Sequence, residues 1–373
     1  MADVTLRDVA RVSGCSVATV SRVLAGTRPV GAETARRVRE AAEALGYRPN
    51  HAARALRSRS TGTVGLVLPQ ITNPFYPALV RELTHALHAG GRAVLLADCD
   101  DDPAAEAEYI ADLLGRQVDA LLVIPAHEER SRDAVTAAAT RVPLVLMDRG
   151  CGPAVADSVA VDNTAGMALV LGHLAAAGRR RVCFLGATGT ASAAAERRAA
   201  YAAGAAALDP GAPDRVALGD FSVEWGRAAV DEVWQTRPDA LVCANDLIAI
   251  GALQRLQQLG VDVPGEVAVT GFDDIPMAAL SAPGITTVRQ PVAELAAEAA
   301  RLLGRRLAGG EEGSPRQAIR LAPELVVRES SVVRTAGTAG GTVPAPGGAA
   351  SLLVEQVPPH VRTAPAGGRP APT

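Results

Sequence analysis

An α/β fold carrying a small helical domain at its amino end is what this 373-residue sequence predicts. Three observations lead there. The chain opens on two short helical patterns split by a glycine-containing turn, the shape of a helix-turn-helix. From Gly62 onward, continuous apolar runs alternate with helical stretches, the pattern of parallel sheets covered on both faces. The charge is also divided: residues 1–60 hold eleven Arg against five acidic groups, a balance of +6, and the remainder holds 26 basic against 35 acidic, a balance of −9. A basic head on an acidic body suits a phosphate-binding module joined to a ligand receptor. The overall charge of −3 conceals this division.

The first helical stretch is Val4-Thr5-Leu6-Arg7-Asp8-Val9-Ala10. Thr5 is placed to cap it, Asp8 favours its start electrostatically, and Leu6, Val9 and Ala10 give it one apolar face. Gly14 supplies the turn. Ser16 caps a second helix running to about Leu24, on which Val20, Val23 and Leu24 point inward. Val17, Ala18, Ser21 and Arg22 remain on the outer face, where base edges would lie. A third helix spans 33–45 and is stopped by Gly46. In Asn50-His51-Ala52-Ala53-Arg54-Ala55-Leu56, Asn50 can cap a helix of about two turns, a length that is marginal alone in water.

The order of these residues, their spacing and the segment that follows are similar to the headpiece of the lactose-repressor (LacI/GalR) family of bacterial transcription regulators. The resemblance extends from Val4 to about Ser331. It implies a helix-turn-helix headpiece over 1–49 and a hinge helix and linker over 50–61. It further implies a two-lobed core like that of periplasmic binding proteins over 62–334, leaving a tail over 335–373. It assigns DNA contact to Thr5, Ser16, Val17, Ala18, Thr19, Ser21 and Arg22. It also assigns contact to Asn50, Ala53 and Leu56 of the hinge, with Leu56 as the wedge entering the minor groove. Two departures stand out: Ala25 replaces the asparagine common before Gly26, and Ala200 stands where a glycine usually precedes the aromatic Tyr201.

Within the core, strands are expected at 64–68, 93–97, 120–124, 144–147, 182–185, 241–243 and 267–270, with helices such as 77–89, 104–116, 165–177 and 247–259 between them. The resemblance divides these into two doubly wound lobes with crossovers near 161–163, 290 and the low 320s, and places a ligand between the lobes at the carboxyl ends of strands. Asn73-Pro74-Phe75-Tyr76 follows the first strand, so Phe75 and Tyr76 either line that cleft or fill the core. Arg197 matches the family position whose guanidinium reaches the ligand, and a fork of donors suits hydroxyls, carboxylate or phosphate. Asn245 and Asp273 match ligand contacts on strand-end loops, and their neighbours Asp246 and Asp274 can serve instead as helix caps. Phe221 falls where relatives place an aromatic against a sugar face. Trp225 reads as core, Arg198 as a surface charge, and Asp148 and Gln290 as further cleft positions.

Other readings are weaker. Asp98 and Asp100-Asp101-Asp102 lack the spacing, glycine and terminal glutamate of a calcium loop, and acidic residues before Pro103 suit a helix start. The five cysteines, Cys15, Cys99, Cys151, Cys183 and Cys243, are scattered without CxxC spacing, which argues for a reducing compartment and against a zinc site. No secretory h-region or membrane-length apolar run is present, so a cytoplasmic protein is expected. The tail is rich in Ala, Gly, Pro and Thr and is expected to stay disordered. Its Leu352, Leu353 and Val354 are too few for a tetramerising heptad, which leaves a homodimer. The expectation is a sequence-specific DNA-binding regulator without cofactor or metal, reading pseudopalindromic operator DNA and answering to a sugar or sugar derivative. A solute receptor of the periplasmic type and an α/β enzyme are the rivals. The basic headpiece opposes the first, and the lack of a nucleophile, acid/base pair or phosphate loop opposes the second.

Overall fold

The computed structural model describes residues 4–25, 30–47, 60–152, 155–188, 191–209, 215–309, 315–332 and 353–356. The chain divides into two compact units, Met1–Gly62 and Thr63–Thr373.

In the first unit, α1 (Leu6–Ser13), α2 (Val17–Ala25) and α3 (Ala32–Ala44) enclose a small core. Val9, Val20 and Val38 are fully buried in it, with Ala35, Ala41 and Ala42 around them and Leu6, Leu24 and Tyr47 at its margin. Its turns follow from local chemistry. Gly14 takes a left-handed φ of 65°, which an L side chain resists, and Gly46 ends α3 with a φ of 63°. Ser16 accepts from the Thr19 backbone N–H at 3.1 Å, satisfying an orphan donor at the start of α2. Asn50, Ala53 and Leu56 lie outside the described residues.

The second unit holds two sheets. β1 (Thr63–Leu68), α4 (Phe75–Ala89), β2 (Ala93–Asp98), α5 (Pro103–Gly115), β3 (Ala120–Val123), α6 (Arg132–Ala139), β4 (Leu144–Met147) and β5 (Asp157–Val161) build the first lobe. After Asp162 the chain enters the second lobe. There α7 (Asn163–Ala176), β6 (Val182–Ala187), α8 (Ser192–Leu208), β7 (Val216–Gly219), α9 (Val223–Val233) and β8 (Ala240–Cys243) are followed by α10 (Asp246–Gln258), β9 (Ala268–Asp273), α11 (Pro276–Leu280) and β10 (Thr286–Arg289). Past Gln290 it returns with α12 (Val292–Leu307) and β11 (Gln317–Leu321), then crosses a third time to β12 (Glu324–Val326).

With β13 spanning Leu353–Gln356, the strand orders are β13-β11-β5-β4-β3-β1-β2 and β12-β10-β9-β8-β6-β7. Only the outermost β13 and β12 run antiparallel to their neighbours among the described strands. In each sheet the order reverses at the first strand of the lobe, so strand ends splay apart and leave a crevice at their carboxyl ends. The central strands β1, β3, β4, β6, β8 and β9 are almost entirely buried, as their continuous apolar runs require.

Strands β5, β7, β10, β11 and β12 carry no long apolar run and escape a periodicity reading. β10 is the instructive case. Thr286 and Thr287 are fully buried, but their hydroxyls are satisfied, Thr286 donating to the Arg328 carbonyl at 2.9 Å and Thr287 to Asp246 Oδ1 at 2.6 Å. The tail needs correction as well. Expected to lack order throughout, it contributes β13, which pairs Leu353 with Arg320 and Gln356 with Gln317 on β11. The edge of β11 offers unpaired backbone groups, and Leu353-Val354 are strand formers in a segment otherwise poor in them.

Candidate functional site

Two surfaces carry chemistry. On the headpiece, Ser16, Val17, Ala18 and Arg22 are exposed along α2 and Thr19 and Ser21 half-buried, while Val20 and Val23 face the core. The outer face of this helix is therefore a short polar and methyl-bearing strip ending in a guanidinium. Thr5 is exposed at the start of α1, where its backbone N–H and hydroxyl both donate to Asp8 Oδ2, at 3.0 and 2.7 Å. These contacts hold the Asp8 carboxyl below the usual range, with Arg11 adding to the effect.

The second surface is a cavity between the lobes of the core. It is lined by Phe75 and Tyr76 from the start of α4, Asp148 after β4, and Arg197 on α8. Phe221 before α9, Asn245 before α10, Asp273 at the end of β9 and Gln290 after β10 complete it. All eight core residues singled out in the sequence meet there. Each comes from a strand's carboxyl end or a helix's first turns, except Arg197, which stands one turn further into its helix.

Arg197 organises the cavity. Its Nε donates to Asn163 Oδ1 at 2.8 Å, its Nη1 to the Ala244 carbonyl at 2.7 Å, and its Nη2 lies 3.6 Å from Asp273 Oδ1. Below it, the Phe272 ring centroid is 3.6 Å from the guanidinium carbon, a cation–π contact that partly replaces lost hydration. Gln290 donates to Asp273 Oδ1 at 2.8 Å. Burial pushes the Asp273 carboxyl up to about 6, against the opposing pull of Arg197 and the Gln290 amide.

On the opposite wall the Tyr76 hydroxyl donates to Asp148 Oδ2 at 3.2 Å, and burial holds that phenol well above its ordinary pKa. Arg149, which the sequence reading passed over, is almost fully buried. It pairs with Asp101 Oδ1 at 2.8 Å and approaches Asp148 at 4.0 Å. The only local signal for it is its place directly after Asp148 at a strand end.

Three buried polar atoms of this cavity have no hydrogen-bond partner among the described residues: Asp148 Oδ1, Asn245 Nδ2 and Gln290 Oε1. Two acceptors and one donor are thus held in reserve, and leaving each unmet costs about 1–3 kcal/mol. Asn245 reaches this state because its other side-chain atom is engaged: Oδ1 caps α10 by accepting from Ile248 N–H at 3.0 Å.

The cap reading for Asp246 and Asp274 is overturned. Asp246 is fully buried and accepts from Ile275 N–H at 2.8 Å and from Thr287, tying the loop after β9 to β10. Burial, with Asp273 nearby, pushes its carboxyl well above the usual range. Asp274 instead pairs with Arg289 at 2.7 Å and with Arg328 at 2.5 Å. The acidic residues at 98–102 behave as a helix start: Asp102 caps α5 through Ala104 N–H at 2.9 Å, with Pro103 in the first turn. Among the described residues no group of three or more His, Cys, Asp or Glu is arranged to hold a metal ion, and no helix is long and apolar enough to cross a membrane.

Comparison with known proteins bears on both surfaces. Residues 5–50 match the family model of bacterial regulatory proteins of the lacI family, and residues 171–331 match that of a periplasmic binding protein-like domain. The transcriptional repressor PurR of Aliivibrio salmonicida is 30% identical over 329 residues, 87% of this chain and 98% of that protein. The solved complex of the transcriptional regulator CelR with cellobiose is 31% identical, covers 88% of this chain and 100% of its own, and superimposes with a TM-score of 0.66. The lac repressor dimer bound to operator and an anti-inducer shares the fold, with a TM-score of 0.78 at 24% identity, over 89% of this chain and 100% of its own. The helical headpiece, the two-lobed core with its triple crossover and these likenesses agree: the chain belongs to the lacI family of bacterial regulatory proteins, DNA-binding regulators of transcription.

Proposed function

We propose that this protein is a homodimeric repressor of genes for sugar uptake or catabolism, whose hold on operator DNA is changed by a sugar or sugar derivative bound between the lobes. The observation that carries the sugar reading is the set of three unpaired buried atoms, Asp148 Oδ1, Asn245 Nδ2 and Gln290 Oε1. Neighbouring hydroxyls both donate and accept, so one polyol satisfies two acceptors and a donor at once. The cations in the cavity are already matched: Arg197 faces Asp273, and Arg149 faces Asp101 and Asp148. A phosphate or carboxylate would bring charge that finds no free partner. The binding of cellobiose by a relative of 31% identity points the same way.

On DNA, α2 of each headpiece would occupy a major groove, with two half-sites about 34–36 Å apart on a pseudopalindrome. Arg22 would supply the main polar base contact, to guanine, with Val17 and Ala18 against thymine methyls and Ser16, Thr19, Ser21 and Thr5 toward the backbone. Asn50, Ala53 and Leu56 would form the hinge helix, and Leu56 would wedge between base steps. Dimerisation would use apolar surface that the core leaves open: Leu95 and Leu96 on β2, 40% and 45% exposed, and Leu280 on α11, 82% exposed. Such a protein acts in the cytoplasm, without turnover of its ligand and without a cofactor.

The test is a thermal-shift panel of sugars, sugar phosphates, nucleosides and purines, followed by operator binding with and without any hit. A specific ligand at 100 times its Kd adds about 2.7 kcal/mol of stability. Stabilisation by a sugar that also changes operator affinity is the expected result. Selective stabilisation by a purine or a sugar phosphate, with silence from the neutral sugars, would overturn the sugar reading.

A further inference from the structure

We propose that the effector is a neutral carbohydrate of at least two rings, its inner unit enclosed in the cavity already described and its second unit held in an outer cavity beside it. This rests on the sugar reading above. The outer cavity lies between the same two lobes. Its first-lobe wall includes Gln70 after β1 and Asp100 and Asp101 after β2. Its second-lobe wall includes Thr188 after β6 and Asp220 and Ser222 around the end of β7.

The two cavities share Phe221 and Arg149, each of which lines both. A ligand held on one side of these residues therefore has the second space directly beside it. The outer cavity is much the larger of the two, and a ring held by the inner cavity's polar atoms alone would leave it mostly to water.

The chemistry of the two spaces differs in the way two units of one chain require. The inner cavity places buried, unpartnered polar atoms against its ligand, which fixes one ring closely. The outer wall offers the half-buried Gln70 amide and the exposed Asp220 carboxylate, which can trade water for a second ring's hydroxyls at little cost. Phe221 is half-buried where the two spaces adjoin, and an aromatic suits the apolar C–H face of a sugar at that junction. Charge decides against an anionic second unit. Asp100, Asp101 and Asp220 stand on the outer wall, and Arg149, the one cation among its described lining residues, is already paired with Asp101. A phosphate or uronate there would meet carboxylates and no free cation.

The experiment is calorimetric titration of the full-length protein with glucose, galactose and mannose, with α- and β-linked disaccharides of these sugars, and with the hexose 6-phosphates. Gln70→Trp and Asp220→Trp are titrated in parallel; they fill the outer cavity from opposite lobes, so a folding failure in one leaves the other informative. The expected result is a disaccharide that binds at least about tenfold more tightly than its constituent hexose. In the Trp variants the ratio of disaccharide to hexose affinity should collapse toward one, with apo unfolding temperatures showing that the fold is kept. Hexose 6-phosphates should bind more weakly than the parent hexoses. A hexose that binds as tightly as every disaccharide, or a disaccharide preference that survives both Trp variants, would overturn the two-ring proposal and leave the sugar reading intact. Silence from every carbohydrate would remove the sugar reading, and this proposal with it.

Discussion

Asp273 and Arg22 show how much depends on single side chains. The Asp273 carboxyl is raised by burial from its ordinary 3.8 to about 6, with Arg197, Asp148 and Arg149 as the charges around it. Protonated Asp273 therefore stabilises the fold: this contribution is complete below about pH 4 and is lost as pH rises through about 6. Effector binding should run the other way, because the ionised carboxylate is the better acceptor of a ligand hydroxyl. Affinity measured by titration should fall between pH 7.5 and pH 5 with a midpoint near 6, and Asp273→Asn should flatten that profile. Arg22 stands exposed at the end of the outer strip of α2. Arg22→Ala should cost about 1–3 kcal/mol on cognate DNA and relax base preference at one position of each half-site. A binding-site selection that returns the wild-type preference would take Arg22 out of the base-reading set.

At the level of elements, close backbone approach and capping are what individual positions protect. Helices α9 and α10 cross at glycines. A Cβ on Gly226 would fall 2.2 Å from the Ile248 carbonyl oxygen, and one on Gly251 would fall 2.1 Å from that of Val223. Backbone cannot step aside as a side chain can, so Gly251→Val should destabilise the core by about 1–3 kcal/mol or more through overpacking. Because Asn245 caps α10, effector affinity should fall as well; denaturant unfolding and ligand titration check the two effects. In the headpiece, Ser16→Ala removes the acceptor for Thr19 N–H and should cost about 0.5–2 kcal/mol of headpiece stability, read by its thermal unfolding. Several elements were legible in sequence because one signal dominated them, such as Gly14 and Gly46 at turns, Asp102-Pro103 at a helix start and the apolar runs of β1 and β3. β10 was not, since its buried threonines depend on partners distant in sequence, Arg328 and Asp246.

At the scale of the whole core, the cleft and the crossovers are joined by one chain of polar contacts. Asn163, at the first crossover, accepts from Arg197 and donates to Glu196 Oε2 at 2.7 Å. Glu196 is held in turn by Arg320, on the strand that leads into the third crossover, at 2.8 Å. Gln290, at the second, holds Asp273. A ligand that draws Arg197 or Asp273 toward itself acts on all three connections between the lobes. For a repressor this coupling must be reciprocal: by whatever factor the effector changes operator affinity, operator DNA changes effector affinity by the same factor. Titrating effector into the free protein and into the protein–operator complex measures the second factor, and gel shift with and without effector measures the first. Factors that differ beyond error would exclude a simple two-state linkage.

Composition, charge and a few motif residues by themselves determined that the chain is α/β, that its basic charge collects in a helical headpiece, and that Val17, Ala18 and Arg22 lie opposite Val20 and Val23. These are local properties: periodicity, capping and a glycine turn act over a few residues and leave their mark in the order of the chain. With family resemblance added, the cleft residues could be named but not related to one another. Tertiary structure alone decided that Arg197 is shared among Asn163, Ala244 and Asp273, that Asp246 is a buried tie, that Arg149 walls two cavities, and that part of the tail pairs with β11. Those facts depend on which groups meet across tens or hundreds of residues, and on burial that removes water as an alternative partner. Neither is written in the spacing of neighbours along the chain.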